Sequence, residues 1–188
     1  MIARTLTSSY FKTSSGTNTH YLRGGDPSGP LLVCLHGLGG STETFSPLVP
    51  SLLPTHNIIL VDFPGFGKTP LAGVRKPLSV EGLVVDLADL IASLRESSNG
   101  SASSKVVIFG HSLGAIVALH YAAKHPHPIG GLMILGPGRA PGHIPAVRQR
   151  MLDLATAVRK EGIKHAADLA AKSNFYDDRY AYEKLRKK

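Results

Sequence analysis

The chain has 188 residues, 43% hydrophobic and 18% charged, a balance that suits one globular domain with a real core and argues against disorder as a whole. No apolar stretch approaches the roughly 20 residues needed to span a bilayer, and the N-terminus has no continuous apolar segment of the secretory kind. The net charge of +8 is uneven: residues 1–138 hold 9 Lys and Arg against 7 Asp and Glu, residues 139–188 hold 12 against 6. Those late basic residues alternate with acids and apolar positions at helical spacing, the pattern of a solvated helix face, so nucleic acid is not expected as a partner.

Met1 to Gly25 is rich in Ser and Thr and carries Arg4, Lys12 and Arg23 without an acid, which has the look of a mitochondrial presequence. The preferred reading is a pair of strands, because Tyr10-Phe11 and Tyr21-Leu22 flank a polar Ser-Gly-Thr-Asn turn as in a hairpin. Leu31 to Leu35 reads as a buried strand. It contains Cys34, the single cysteine, which can form no internal disulfide and fits a reducing compartment such as the cytoplasm. Ser41 to Leu53 can hold a helix begun by Ser41 or Thr42 with Glu43 in its first turn. Ile58 to Val61 is the next strand.

Ser79 can cap a helix whose apolar positions Val80, Leu83, Val84, Leu87, Leu90, Ile91 and Leu94 keep the three-four spacing of one buried face. After a Ser-Gly loop at Asn99 to Ser104 come a strand, Val106 to Phe109, a helix, Leu113 to Lys124, and a strand, Gly131 to Leu135. Continuous apolar strands imply that both faces of the sheet are covered. The expected fold is therefore three-layer α/β with a mostly parallel sheet and right-handed crossovers over residues 1–138. Beyond Gly138, Pro145 to Glu161 and Ile163 to Lys172 are amphipathic helical patterns parted by Gly162, with a charged tail, and no strand follows.

Three loops at the carboxyl ends of strands carry chemistry, the edge at which ligands bind in open parallel sheets. In Gly110-His111-Ser112-Leu113-Gly114 the order strand, sharp turn, helix presents Ser112 as a nucleophile. In His36-Gly37-Leu38-Gly39-Gly40 the glycines let the backbone curl, so that the Leu38 N–H joins that of Leu113 as a two-donor oxyanion hole. His36 is expected to order this loop rather than to act as general base. Asp62-Phe63-Pro64-Gly65-Phe66-Gly67-Lys68-Thr69 ends like a phosphate-binding loop. That motif demands Gly where this chain has Asp62, and Pro70 and Pro77 interrupt the helix it needs, so nucleotide hydrolysis is not expected.

Together, His36-Gly37-Leu38-Gly39-Gly40, Asp62-x-x-Gly65-x-Gly67 and Gly110-His111-Ser112-Leu113-Gly114 resemble the α/β-hydrolase superfamily, more narrowly its esterase, lactonase and C–C hydrolase branch. The resemblance covers about Tyr10 to Gly138. It implies that Ser112 attacks an ester or lactone carbonyl, that the Leu38 and Leu113 amides hold the oxyanion, flanked by His36, Gly37 and His111, and that water releases the acyl group without metal or organic cofactor. Leu38, Phe66 and Leu113 suggest an apolar acyl pocket, and residues 139–188 correspond to the start of a helical lid.

In this family the triad acid and histidine follow the lid, after strands not found before Lys188. The resemblance therefore implies an incomplete version of a serine hydrolase of doubtful activity. The alternative is a non-catalytic binding or regulatory protein that keeps the crevice. His120, His125 and His127 are expected to lie away from the active face. His143 is on the correct side but reads as a surface-loop residue, and Asp177 and Asp178 are candidate acids only by elimination. The strand Gly131 to Leu135 would then be an open edge inviting self-association.

Overall fold

The structure is a computed structural model, described over residues 3–71, 78–96, 105–138, 144–165 and 168. The chain divides into two compact units, residues 1–138 and 139–188.

The first unit begins with a hairpin. Strands β1 (Ala3–Lys12) and β2 (Asn18–Gly25) pair antiparallel around a turn closed by the Thr13 N–H donating to the Thr17 carbonyl at 2.9 Å. Strands β3 (Leu31–Leu35), β4 (Asn57–Val61), β5 (Val106–His111) and β6 (Ile129–Leu135) complete a six-stranded sheet in the order β1-β2-β4-β3-β5-β6. The pairs β1/β2 and β2/β4 are antiparallel, and β4/β3, β3/β5 and β5/β6 are parallel. The sheet is thus mostly parallel, as the buried apolar runs predict.

Both faces of β3 and β4 are covered, and alternate residues divide between them. Val33, Leu35, Ile59, Val61 and Ile108 face helix α2 (Val80–Glu96), whose stripe Leu83, Val84, Leu87, Leu90, Ile91 and Leu94 is buried. Helix α3 (Leu113–Lys124) adds Val117, Ala118 and Tyr121 to this side. Each of these leucines contributes about 1.5–3 kcal/mol through burial. Ser79 starts α2, its Oγ accepting the Gly82 N–H at 3.1 Å. The other face joins Leu32, Cys34, Ile58, Leu60 and Phe109 to Phe45, Val49 and Leu53.

That second cover corrects one expectation. Ser41 to Leu53 is not one helix but a 3₁₀ turn (Thr42–Phe45) followed by the short helix α1 (Val49–Leu52). Ser41 does cap the turn, its Oγ accepting the Glu43 N–H at 3.3 Å. Pro47 has no N–H to continue the ladder, however, and Pro50 fits only in a first turn, so a second helix must start there. At the far edge, β6 begins two residues earlier than its apolar run suggests. Among the described residues it pairs only with β5, and Met133 and Leu135 stay exposed.

In the second unit, helix α4 (Pro145–Glu161) starts with Pro at its first position and stops at Gly162, whose φ of +84° suits glycine. Ile163, Lys164, His165 and Asp168 are helical, and the rest of the pattern expected to Lys172 lies outside the described residues. No helix among the described residues is long and apolar enough to cross a membrane.

Candidate active site

Ser112 stands alone between the end of β5 and the start of α3. Its φ of +50° and ψ of −111° make it the one non-glycine residue with positive φ among those described. Such a conformation costs on the order of 1–3 kcal/mol and persists only where its surroundings enforce it. Here they do. The Ser112 N–H donates to the Leu135 carbonyl at the end of β6 (2.9 Å), and the Ser112 carbonyl accepts from Ala115 (3.0 Å) and Ile116 (3.2 Å) to open α3. The flanking glycines permit the tight turn: a Cβ on Gly110 would lie 2.5 Å from the Gly114 carbonyl oxygen, and one on Gly114 would strike the Leu35 carbonyl.

The loop after β3 converges on this turn. The Gly114 N–H donates to the His36 carbonyl at 3.1 Å, tying the two together. Gly37 is so close that a Cβ on it would be 2.9 Å from His111 Nδ1 and 3.1 Å from Ser112 Cβ. The amides of Leu38 and Leu113 donate to no backbone carbonyl among the described residues, and Leu38 is 65% exposed. Leu38 thus follows the glycine that lies against Ser112, and Leu113 follows Ser112 itself.

His36 is fully buried and has both ring nitrogens engaged. Nδ1 donates to the Gly37 carbonyl (2.7 Å) and Nε2 accepts the Phe63 N–H (3.0 Å), with Phe63 and Phe66 packed against the ring. Burial lowers its pKa, opposed by the Gly37 bond and the Asp62 charge. A neutral ring with no free nitrogen orders a loop and abstracts no proton. His111 is half-buried beside it, and its Nδ1 has no hydrogen-bond partner among the described residues.

The third loop shows why the likeness to a phosphate-binding loop ends at Asp62. This carboxylate, 1% exposed, occupies the place that converging donors would offer an anion: Oδ1 accepts the Thr42 N–H (2.7 Å), and Oδ2 accepts the Lys68 N–H (3.0 Å) and His20 Nδ1 (2.7 Å). Thr69 Oγ1 donates to the Asp62 carbonyl (2.7 Å) and accepts the His20 N–H (2.8 Å). Gly67, at φ +53°, lies against the carboxylate itself. His20 belongs to this cluster and was not legible in sequence, since 42 residues separate it from Asp62.

Ser112 Oγ bonds to no described residue. His120 lies seven residues into α3, and His125, its ring 4.8 Å from that of Tyr121, caps the far end, roughly 18 Å along the axis at 1.5 Å per residue. His143, Asp177 and Asp178 lie outside the described residues. Among the described residues no three His, Cys, Asp or Glu are grouped to hold a metal.

A strained serine at a strand-to-helix turn, on the carboxyl edge of a mostly parallel sheet, defines a class of protein. The family model of the alpha/beta hydrolase fold matches residues 30–181, and the chain belongs to that family. It is 30% identical over 158 residues to the pimeloyl-(acyl-carrier protein) methyl ester esterase of Aeromonas hydrophila subsp. hydrophila, covering 74% of this chain and 58% of that protein. It is also 30% identical over 112 residues to the pyrrolizixenacetamide deacetylase of Xenorhabdus hominickii, covering 59% of this chain and 39% of that one. The chain thus spans little more than half the length of the first relative. Among solved structures it is similar to a carboxylesterase of Nitrososphaera gargenis, with TM-score 0.77 and 22% identity over 92% of this chain and 63% of that one. An alpha/beta hydrolase of Novosphingobium aromaticivorans superposes with TM-score 0.63 and 22% identity, covering 85% and 58%. These two likenesses establish the fold.

Proposed function

We propose that this protein is a carboxylic ester hydrolase in which Ser112 forms an acyl-enzyme with a small ester or lactone. The observation that carries the reading is the positive φ of Ser112, enforced by bonds to β6 and to the His36–Gly40 loop. A costly conformation held at a strand end, beside two amides that donate to no backbone carbonyl among the described residues, suits nucleophilic attack on a carbonyl. Ser112 Oγ adds to the carbonyl carbon and gives up its proton, and the Leu38 and Leu113 N–H groups receive the oxyanion. The carbon–oxygen bond to the alcohol breaks as the alkoxide takes up a proton, and water then cleaves the acyl-serine to the acid, returning a proton to Ser112 Oγ. Each oxyanion donor is worth about 2.7–4 kcal/mol in such sites. The esterase and deacetylase names of the relatives support cleavage of an acyl bond. The exposed Leu38 and the nearby Phe66 favour an apolar acyl part.

The test is acid release from methyl esters and lactones of short acyl chains, followed by pH-stat titration. The expected result is turnover that falls at least about a thousandfold in Ser112→Ala, the scale of nucleophile loss in serine hydrolases. Equal rates in the two proteins would overturn the reading.

A further inference from the structure

A second serine, on strand β1, is joined to a histidine of β2 and to the Asp62 carboxylate. Ser8 Oγ lies 2.9 Å from His20 Nε2, and His20 Nδ1 lies 2.7 Å from Asp62 Oδ2. Because the carboxylate can only accept, the proton sits on Nδ1 and Nε2 accepts the Ser8 hydroxyl. The Thr42 and Lys68 amides hold Asp62, and Thr69 holds the His20 backbone, so imidazole and carboxylate are both fixed and both 1% exposed. Ser8 itself is exposed. Register puts Tyr10 opposite His20, and Tyr10 lies two residues from Ser8 on the same face of β1. Tyr10 is 52% exposed, and its ring centroid lies 5.1 Å from that of His20, an aromatic shelf beside the hydroxyl.

We propose that Ser8 is a second nucleophile, activated by His20 and positioned by Asp62, that accepts small acyl groups from aryl esters. Ser8 Oγ bonds to the ester carbonyl carbon while its proton passes to His20 Nε2. The bond from carbonyl carbon to phenolic oxygen then breaks, and the phenolate takes that proton, leaving acyl-Ser8 and a neutral imidazole. Tyr10 stacks on the aryl leaving group. No oxidant, metal or cofactor enters the balance. This goes beyond the role of Ser112, since it concerns another serine and another base.

The experiment treats folded Ser112→Ala protein with a fluorophosphonate and maps adducts by peptide mass spectrometry. Ser8 is expected to label about a hundredfold faster than the exposed Ser51, the lower range of general-base acceleration. Ser8→Ala in the same background should remove that adduct, and Tyr10→Ala should slow acetylation of Ser8 by phenyl acetate. Labelling of Ser8 no faster than Ser51 would overturn the proposal. His20→Gln, where it folds, should bring Ser8 down to the Ser51 rate; where it does not fold, the ratio in Ser112→Ala alone decides. The Ser112→Ala background takes Ser112 out of the readout, so failure of labelling at Ser8 is not failure at Ser112, whose own labelling is read in the unsubstituted protein.

Discussion

His36 shows how one residue links sequence, burial and site. It sits where β3 ends, takes the Phe63 N–H on one nitrogen and grips the Gly37 carbonyl with the other, and so shapes the loop that carries Leu38. Its pKa is lowered in the fold, chiefly by burial. An unfolded chain takes up a proton near about pH 6.5 while the folded one does not, so the unfolded state binds more protons in that window. Stability is therefore present above about 6.5 and lost as pH falls below it. His36→Gln, which cannot serve both partners, is expected to cost about 1–3 kcal/mol at neutral pH. It should also flatten the dependence of stability on pH, measured by urea unfolding between about pH 7.5 and 5.5.

At the scale of elements, the loops matter more than the helices. The D-x-x-G-x-G stretch after β4 works as a carboxylate hub that ties the 3₁₀ turn, the β2 hairpin strand and its own loop to one residue, Asp62. Gly67 is required twice over, by its φ of +53° and by the carboxylate that fills the space a Cβ would take. Gly39, at φ +80°, has no described residue within 4 Å of such a Cβ. Gly39→Ala is thus expected to cost only left-handed strain, about 1–2 kcal/mol, and Gly67→Ala clearly more. Thermal melts of the two variants side by side check this, and equal losses would contradict the hub. The same loops explain what sequence could not show. Periodicity exposes α2 and the strands because it is local, and the two prolines explain the broken Ser41–Leu53 segment once a continuous helix is tested against them. The His20–Asp62 pairing depends on register between β2 and β4, which no local pattern announces.

Across the whole molecule, the order of three strand-end loops was readable because each carries glycines where backbones must approach. The family match over residues 30–181 agrees with that reading. What did not follow from sequence is the identity of the groups that serve Ser112: His36 is committed to its loop, His120 and His125 sit down α3, and His143, Asp177 and Asp178 are outside the described residues. On the proposed function, the enforced conformation at Ser112 makes a working nucleophile. It is tested most directly by treating the folded protein with a fluorophosphonate and locating the adduct by peptide mass spectrometry. The expected result is modification of the peptide containing Gly110–Gly114 at Ser112, abolished at that site in Ser112→Ala; folded protein that carries no adduct on Ser112 would rule the nucleophile out.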